Sequence, residues 1–253
     1  MTQWNPHKYL QFDHERLRPA LDLMGQITLD NPRHIVDLGC GPGNVTALLQ
    51  ERWDDAAVEG IDSSAAMLQK AKIDYPHLTW CQDTIENWHP QEAPDLIFSN
   101  ACLHWLDHHH ELFVRLVLSL APGGVLAVQM PNNFAAPTHQ AIRDCLGEGH
   151  PLMPGFPVHQ AEDYYGWLSE FCAQVNIWES TYIHVLHGEN PVADWTKGAA
   201  LRPILEGMLT DQEGDEFEEK YRRQILNAYP KSLDGTTLMS FKRLFIVAQK
   251  ASA

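Results

Sequence analysis

Asp37-Leu38-Gly39-Cys40-Gly41-Pro42-Gly43-Asn44 sets three alternating glycines behind an acid and in front of an amphipathic stretch. Glycines let the backbone turn sharply and let a ligand approach without meeting Cβ atoms, so a turn of this composition between strand and helix is read as nucleotide-binding. The dinucleotide fingerprint G-x-G-x-x-G requires a glycine at position 44, where this chain has Asn44, which disfavours NAD. Asp62 follows about twenty residues later, where a carboxylate can accept hydrogen bonds from both hydroxyls of a ribose. Asp83 and Asn100 come after the next two apolar runs. Polar residues at successive strand ends converge on a single crevice.

For these residues to meet, the sequence between them must alternate buried strands with helices. From Ile35 to about Asn132, short apolar runs alternate with amphipathic stretches, the pattern of a parallel sheet covered on both faces. Strands are predicted at 33–38, 58–61, 78–81, 94–100 and 125–130. Helices are predicted over 44–53, with Asn44 as N-cap, from Ser63 or Ser64 to a stop before Pro76, and over 111–120. Beyond Pro131 the pattern loosens. Segments 175–185 and 243–249, rich in β-branched and aromatic residues, are predicted as the last two strands, with Arg243 leading into the final one. Helical spacing of Leu201, Leu205 and Leu209 within 191–229 predicts a helical cap over the strand ends. The expected fold class is α/β, a mostly parallel seven-stranded sheet with helices on both faces and a helical cap inserted before the last strand. The expected organisation is a single domain: an N-terminal lid and helix at 1–30, a core at 31–186 and 240–253, and the cap insertion at 187–239.

Composition narrows the function classes. The chain has 253 residues, 44% of them hydrophobic, enough for one large core. No apolar run reaches the ~18 residues of a bilayer span, and the N-terminus lacks the basic and apolar regions of a secretory signal, so a cytoplasmic protein without membrane contact is expected. Cys40, Cys81, Cys102, Cys145 and Cys172 are scattered and never form C-x-x-C, which predicts reduced, mostly buried thiols and neither disulfides nor a zinc site. The histidine run His108-His109-His110 directs its side chains three different ways at a helix start, so a solvated start is expected and no metal. A net charge of −15, with no basic cluster longer than Lys220-Tyr221-Arg222-Arg223, argues against nucleic acid. A small anion remains possible, because local cations decide a site within a Debye length of about 8 Å.

The D-L-G-C-G-P-G-N segment resembles motif I of the class I S-adenosylmethionine-dependent methyltransferases. Further segments along nearly the whole chain resemble the trans-aconitate 2-methyltransferase family, among them Trp4-Asn5-Pro6, Glu15-Arg16-Leu17-Arg18-Pro19-Ala20, Gly60-Ile61-Asp62-Ser63-Ser64, Gly124 to Pro131, Leu201-Arg202-Pro203 and Arg243 to Ala248. The resemblance implies a Rossmann-like class I methyltransferase fold, S-adenosylmethionine as cofactor without a metal, and formation of a monomethyl ester on a small tricarboxylic acid. It implies a cofactor set of Arg18, Asp37, Gly39, Gly41, Asn44, Asp62, Ser63, Met67, Asp83, Thr84, Ile85 and Asn100, with Asp83 taking the adenine amino group and Asn100 lying by the methionine portion. His104 stands where the family pattern has a glutamine.

Methyl transfer from sulfonium to oxygen is an in-line displacement, and a carboxylate with a pKa near 4 is already ionised at neutral pH, so no general base is needed. Catalysis would be positioning, worth roughly 7–11 kcal/mol of barrier. Cations should hold the carboxylates that do not react. Arg202 is the first choice, with Arg18 joining it or pairing with the cofactor carboxylate, and Arg243 as a further candidate. Trp4, Tyr9 and Trp105 would wall the pocket, and Tyr9 and His104 are candidate hydrogen-bond donors to substrate. Two competing readings keep the same turn: methyl esterification of a carrier-bound acyl carboxylate, which the acidic composition disfavours because carrier proteins are themselves acidic, and a cofactor-binding module without turnover.

Overall fold

A computed structural model describes residues 13–153, 158–198, 200–208 and 210–252. Trp4 and Tyr9 fall outside the described residues. The elements run α1 Asp13–Met24, β1 His34–Leu38, α2 Asn44–Arg52, β2 Ala57–Asp62, α3 Ala65–Asp74, β3 Thr79–Gln82, β4 Leu96–Asn100, a short 3-10 turn Leu103–Trp105, α4 His109–Ser119 and β5 Val125–Pro131. They continue with α5 Pro137–Leu146, α6 Ala161–Leu168, β6 Cys172–Leu186, α7 Pro191–Lys197, α8 Arg202–Gly207, α9 Asp211–Ala228 and β7 Thr237–Lys250.

The described residues form a seven-stranded sheet in the order β3-β2-β1-β4-β5-β7-β6. The pairings β1 with β2, β1 with β4, β2 with β3 and β4 with β5 are parallel, whereas β7 joins β5 antiparallel, with Gln129 opposite Phe245. Strands β1, β4 and β5 are almost wholly buried, which explains why they read as continuous apolar runs instead of alternating ones. The order reverses between β1 and β4, and in open α/β sheets ligands bind outside the strand C-terminal ends at such a switch point.

The chain divides into two compact units. One consists, among the described residues, of 13–131, 158–180 and 243–252 and holds β1 to β5 with α1 to α4 and α6. Its largest fully buried side chains include Phe98, Phe113, Tyr164 and Phe245. The other consists, among the described residues, of 132–153, 181–198, 200–208 and 210–242, in which α9 packs on α5 and α7. There Tyr221 donates its hydroxyl to Thr196 Oγ1 at 3.0 Å, and Thr210 and Glu213 close a capping box at the start of α9.

Several sequence expectations are corrected. Gly43, not Asn44, is the N-cap of α2, because the Trp80 ring lies where a Cβ at Gly43 would stand and the Gly43 carbonyl already accepts from Ala47 N–H. Ser64 caps α3, its hydroxyl accepting from Met67 N–H. The loosened region after Pro131 contains two unpredicted helices, α5 and α6, and the segment 191–229, where helical spacing predicts the cap, contains α7, α8 and α9. Both final strands are longer than predicted, since pairing with a neighbouring strand carries them past their apolar centres; Arg243 lies inside β7 and is 4% exposed. Only Cys40 of the five thiols is buried; Cys81 is exposed and the other three are half-buried. Of the three histidines, His109 is buried while His108 and His110 are exposed, so the helix start is not uniformly solvated.

Candidate functional site

The glycine turn is built by β1 and β2 together. Gly39 N–H and Cys40 N–H both donate to the Ile61 carbonyl, at 2.8 and 3.0 Å. Asp62, at the end of β2, then latches the turn from above: Oδ2 accepts from Gly41 N–H at 2.9 Å and Oδ1 from Ser64 N–H at 2.8 Å. Each carboxylate oxygen retains a lone pair for a ligand hydroxyl. Gly41 has φ +55, and the direction a Cβ would take there is open space. That backbone can therefore meet a ligand face-on.

Asp37 sits beneath this turn, 1% exposed, and accepts from Thr46 Oγ1 at 2.6 Å. Burial pushes its carboxyl up to about 7; the Thr46 hydrogen bond pulls it down and the charge of Asp62 pushes it up further. A folded-state pKa raised above the ordinary 3.8 means the native protein holds this proton where the unfolded chain has lost it. The associated stability is complete below about pH 4, declines as pH rises toward 7 and is gone above, by up to about 4 kcal/mol at ~1.36 kcal/mol per unit. Asp37→Asn, which keeps an oxygen for Thr46, should remove that decline. In urea denaturation the variant should gain on the parent between pH 4 and 7 and be the more stable of the two at about pH 8. A difference that does not change with pH would show that Asp37 is ionised throughout.

The next two strand ends complete the crevice. Asp83 N–H donates to the Asp62 carbonyl at 3.3 Å, and Asp83 Oδ1 accepts from Thr84 N–H at 2.8 Å, which shapes the turn leading to buried Ile85. Arg115 of α4 clamps this turn from outside, donating to the Ile85 carbonyl at 2.7 Å and the Trp88 carbonyl at 2.8 Å. At the end of β4, Asn100 Oδ1 is buried with no hydrogen-bond partner among the described residues. Ala101 follows at φ 53, a left-handed conformation costing an alanine about 1–2 kcal/mol, and its N–H is held by the Gln129 carbonyl at 2.9 Å. The chain then enters the Leu103–Trp105 turn, where the His104 and Trp105 rings lie 4.7 Å apart and Trp105 is 57% exposed.

The thiols near the turn are held in their protonated form. Burial raises Cys40 far above the usual thiol range, and burial together with the charges of Asp62 and Asp37 pushes Cys102 up to about 12.

Asp37, Gly39, Gly41, Asp62, Ser63, Asp83, Thr84, Ile85 and Asn100 therefore lie at or beside the ends of β1 to β4. Asn44 opens α2, and Met67, 7% exposed, lies in the first turn of α3. Arg18 is on α1, exposed, in an ion pair with Asp22 at 3.8 Å. Arg243 is on β7, its Nη1 donating to Gln129 Oε1 at 3.3 Å. Arg202 belongs to the other unit, where it opens α8 and pairs with Glu206 at 2.8 Å.

Sequence reasoning missed Arg115, Gln129 and His109. The Leu103 carbonyl can only accept, so His109 carries its hydrogen on Nε2 and donates to it at 3.0 Å; Nδ1 of the ring, kept neutral by burial, then accepts from the Tyr164 hydroxyl at 2.6 Å, and that hydroxyl accepts from His159 N–H at 3.3 Å. This chain of bonds anchors the turn that carries His104 and Trp105. A hollow of about 440 Å³ beside the start of α4, lined in part by His108, His110, His159 and Trp167, lies apart from the glycine turn. Among the described residues no group of three or more His, Cys, Asp or Glu side chains is disposed to hold a metal, and no helix is long and apolar enough to cross a membrane.

This combination of switch-point crevice, glycine turn and strand-end acids is that of a methyltransferase domain, and the family model of that description matches residues 9–174. Solved structures share the fold: the YcgJ protein of Bacillus subtilis aligns with TM-score 0.59 at 12% identity over 93% of this chain and 100% of its own. Geranyl diphosphate C-methyltransferase of Streptomyces coelicolor A3(2), solved with S-adenosyl-L-homocysteine, aligns with TM-score 0.54 at 16% identity over 96% of this chain and 82% of its own. Sequence relatives are more specific. The chain is 44% identical over 251 residues, 99% of both sequences, to trans-aconitate 2-methyltransferase of Escherichia coli O45:K1 (strain S88), and equally to that of Escherichia coli K12 (strain DH10B). It belongs to that family.

Proposed function

We propose that this protein transfers a methyl group from S-adenosylmethionine to a carboxylate of a small tricarboxylic acid, trans-aconitate above all, releasing the monomethyl ester. The observation that carries the reading is 44% identity across 99% of both sequences to enzymes of that name, on a chain whose glycine turn is held by the strand-end acid Asp62. The residues present suit the methyl donor: Gly41 offers open backbone, Asp62 has free lone pairs for ribose hydroxyls, and the orphan acceptor Asn100 Oδ1 suits an ammonium.

When bound, S-adenosylmethionine supplies a sulfonium-linked methyl group open to direct displacement. The protein's contribution is then binding and orientation. Asp62 holds the ribose, Asp83 and the Thr84–Ile85 turn flank the adenine, and Arg115 keeps that turn in place. The acceptor carboxylate is already ionised at neutral pH, so no side chain has to remove a proton. His104 and Trp105 would line the acceptor side, with Arg18 and Arg243 as candidate cations for the carboxylates that do not react.

The test is incubation with methyl-labelled donor and a panel of di- and tricarboxylic acids, followed by mass analysis. One added methyl on trans-aconitate, formed faster than on any other acid, is the expected result. Binding of S-adenosylhomocysteine without ester formation on any acid would overturn the assignment and favour a module without turnover.

A further inference from the structure

The surroundings of the Gln129 side chain are those of a ligand-binding group. In the sheet register Asn100 pairs with Gln129 and Gln129 with Phe245. Side chains at paired positions leave a sheet on the same face, and residues two apart on a strand share a face. Asn100, Gln129 and Arg243 therefore line one face at the strand ends around β5. Gln129 is wholly buried, and its Oε1 accepts from Arg243 Nη1 at 3.3 Å. A guanidinium can only donate, so this bond settles which end of the amide faces it and turns Nε2 the other way.

Among the described residues that Nε2 has no hydrogen-bond partner, and neither does the neighbouring buried acceptor, Asn100 Oδ1. A buried polar group left unmatched carries its full desolvation cost, which calls for an occupant that supplies the missing partners. An orphan donor one strand away from an orphan acceptor asks for a ligand bearing an anionic or carbonyl oxygen close to an N–H group. The positive charge of Arg243 behind the amide favours an anionic oxygen.

We propose that Gln129 is a carboxylate-binding residue, with Nε2 donating to a ligand carboxylate while Arg243 holds the amide in the required orientation. This rests on the function proposed above, in which both ligands carry that group: the methionine portion of the donor and the acid that accepts the methyl. The experiment distinguishes the two. Gln129→Glu keeps the shape, replaces the donor by an acceptor and strengthens the pairing to Arg243, so the fold should persist. Gln129→Met is a second variant of similar length without polar atoms.

Each variant is titrated calorimetrically with S-adenosylhomocysteine, and then with trans-aconitate while S-adenosylhomocysteine is saturating. A loss of at least about tenfold, which is the scale of one charge-assisted hydrogen bond, is expected for one ligand in both variants. Loss for S-adenosylhomocysteine, with 5′-methylthioadenosine binding unaltered because it lacks the carboxylate, assigns the donor's carboxylate to Gln129. Loss for trans-aconitate alone assigns the acceptor's. Unchanged affinity for both overturns the inference. Parent protein that binds S-adenosylhomocysteine but no acid would defeat the acid assignment by itself, and the S-adenosylhomocysteine titrations would then decide the role of Gln129.

Discussion

Replacement of Asp62 by alanine should lower the affinity for S-adenosylhomocysteine by at least about a hundredfold, the scale of two charge-assisted hydrogen bonds at about 1.5–3 kcal/mol each. The loss has two sources. Both proposed ribose contacts would be lost, and the Gly41 and Ser64 N–H groups would lose the carboxylate that holds them at 2.9 and 2.8 Å, so the turn itself would loosen. Asp62→Asn should fall between parent and alanine variant. An amide presents one oxygen and one NH2, so it can satisfy only one of the two backbone donors and places its own hydrogens against the other. Calorimetric titration reads the affinity, and a thermal melt without ligand separates loss of binding from loss of fold. Near-parental affinity in the alanine variant would remove Asp62 from the ligand site.

The largest loss of stability is expected at Gly39. An alanine there would place its Cβ inside Cys102 Sγ and Cβ, at a backbone φ of +76. The left-handed conformation costs about 1–2 kcal/mol and overpacking about 1–3 kcal/mol, a sum of roughly 2–5 kcal/mol. The two parts can be separated. Cys102→Gly in the Gly39→Ala background removes the overlapping atoms, and should return the packing share while leaving the backbone share. Gly41→Ala provides the contrast: its φ is +55 but nothing lies within 4 Å of the new methyl, so it should lose only the backbone share of stability and yet bind S-adenosylhomocysteine poorly. Urea denaturation of the four proteins measures these differences. If Gly39→Ala proved no less stable than Gly41→Ala, the close packing of Cys102 on the turn would be refuted.

Much of the sheet was legible because its strands are buried on both faces and stand out as apolar runs between turn residues. Ile35 to Leu38, Leu96 to Phe98 and Val125 to Met130 are of this kind. The ligand turn was legible for a related reason: an acid, three glycines and a following helix are local chemistry, compressed into eight residues. The limits of β6 and β7 were not legible, since an exposed strand end forms only where a neighbour offers its backbone. Nor were α5 and α6, short helices whose packing partners, α9 and α4, lie far along the chain.

What the sequence determined by itself was the set of short-range requirements: where the backbone must bend, which runs must be buried, and which acids fall at strand ends. Those follow from sterics and burial acting within a few residues. The tertiary structure alone decided which polar groups came together. Arg115 reaches the Ile85 carbonyl across 30 residues, Gln129 meets Arg243 across 114, and His109 meets Tyr164 across 55. A buried Arg, Gln or His looks like any other in the sequence. Its role is set by the donor or acceptor that packing delivers to it, because a hydrogen bond requires both partners within about 3 Å and burial makes the absence of either one costly.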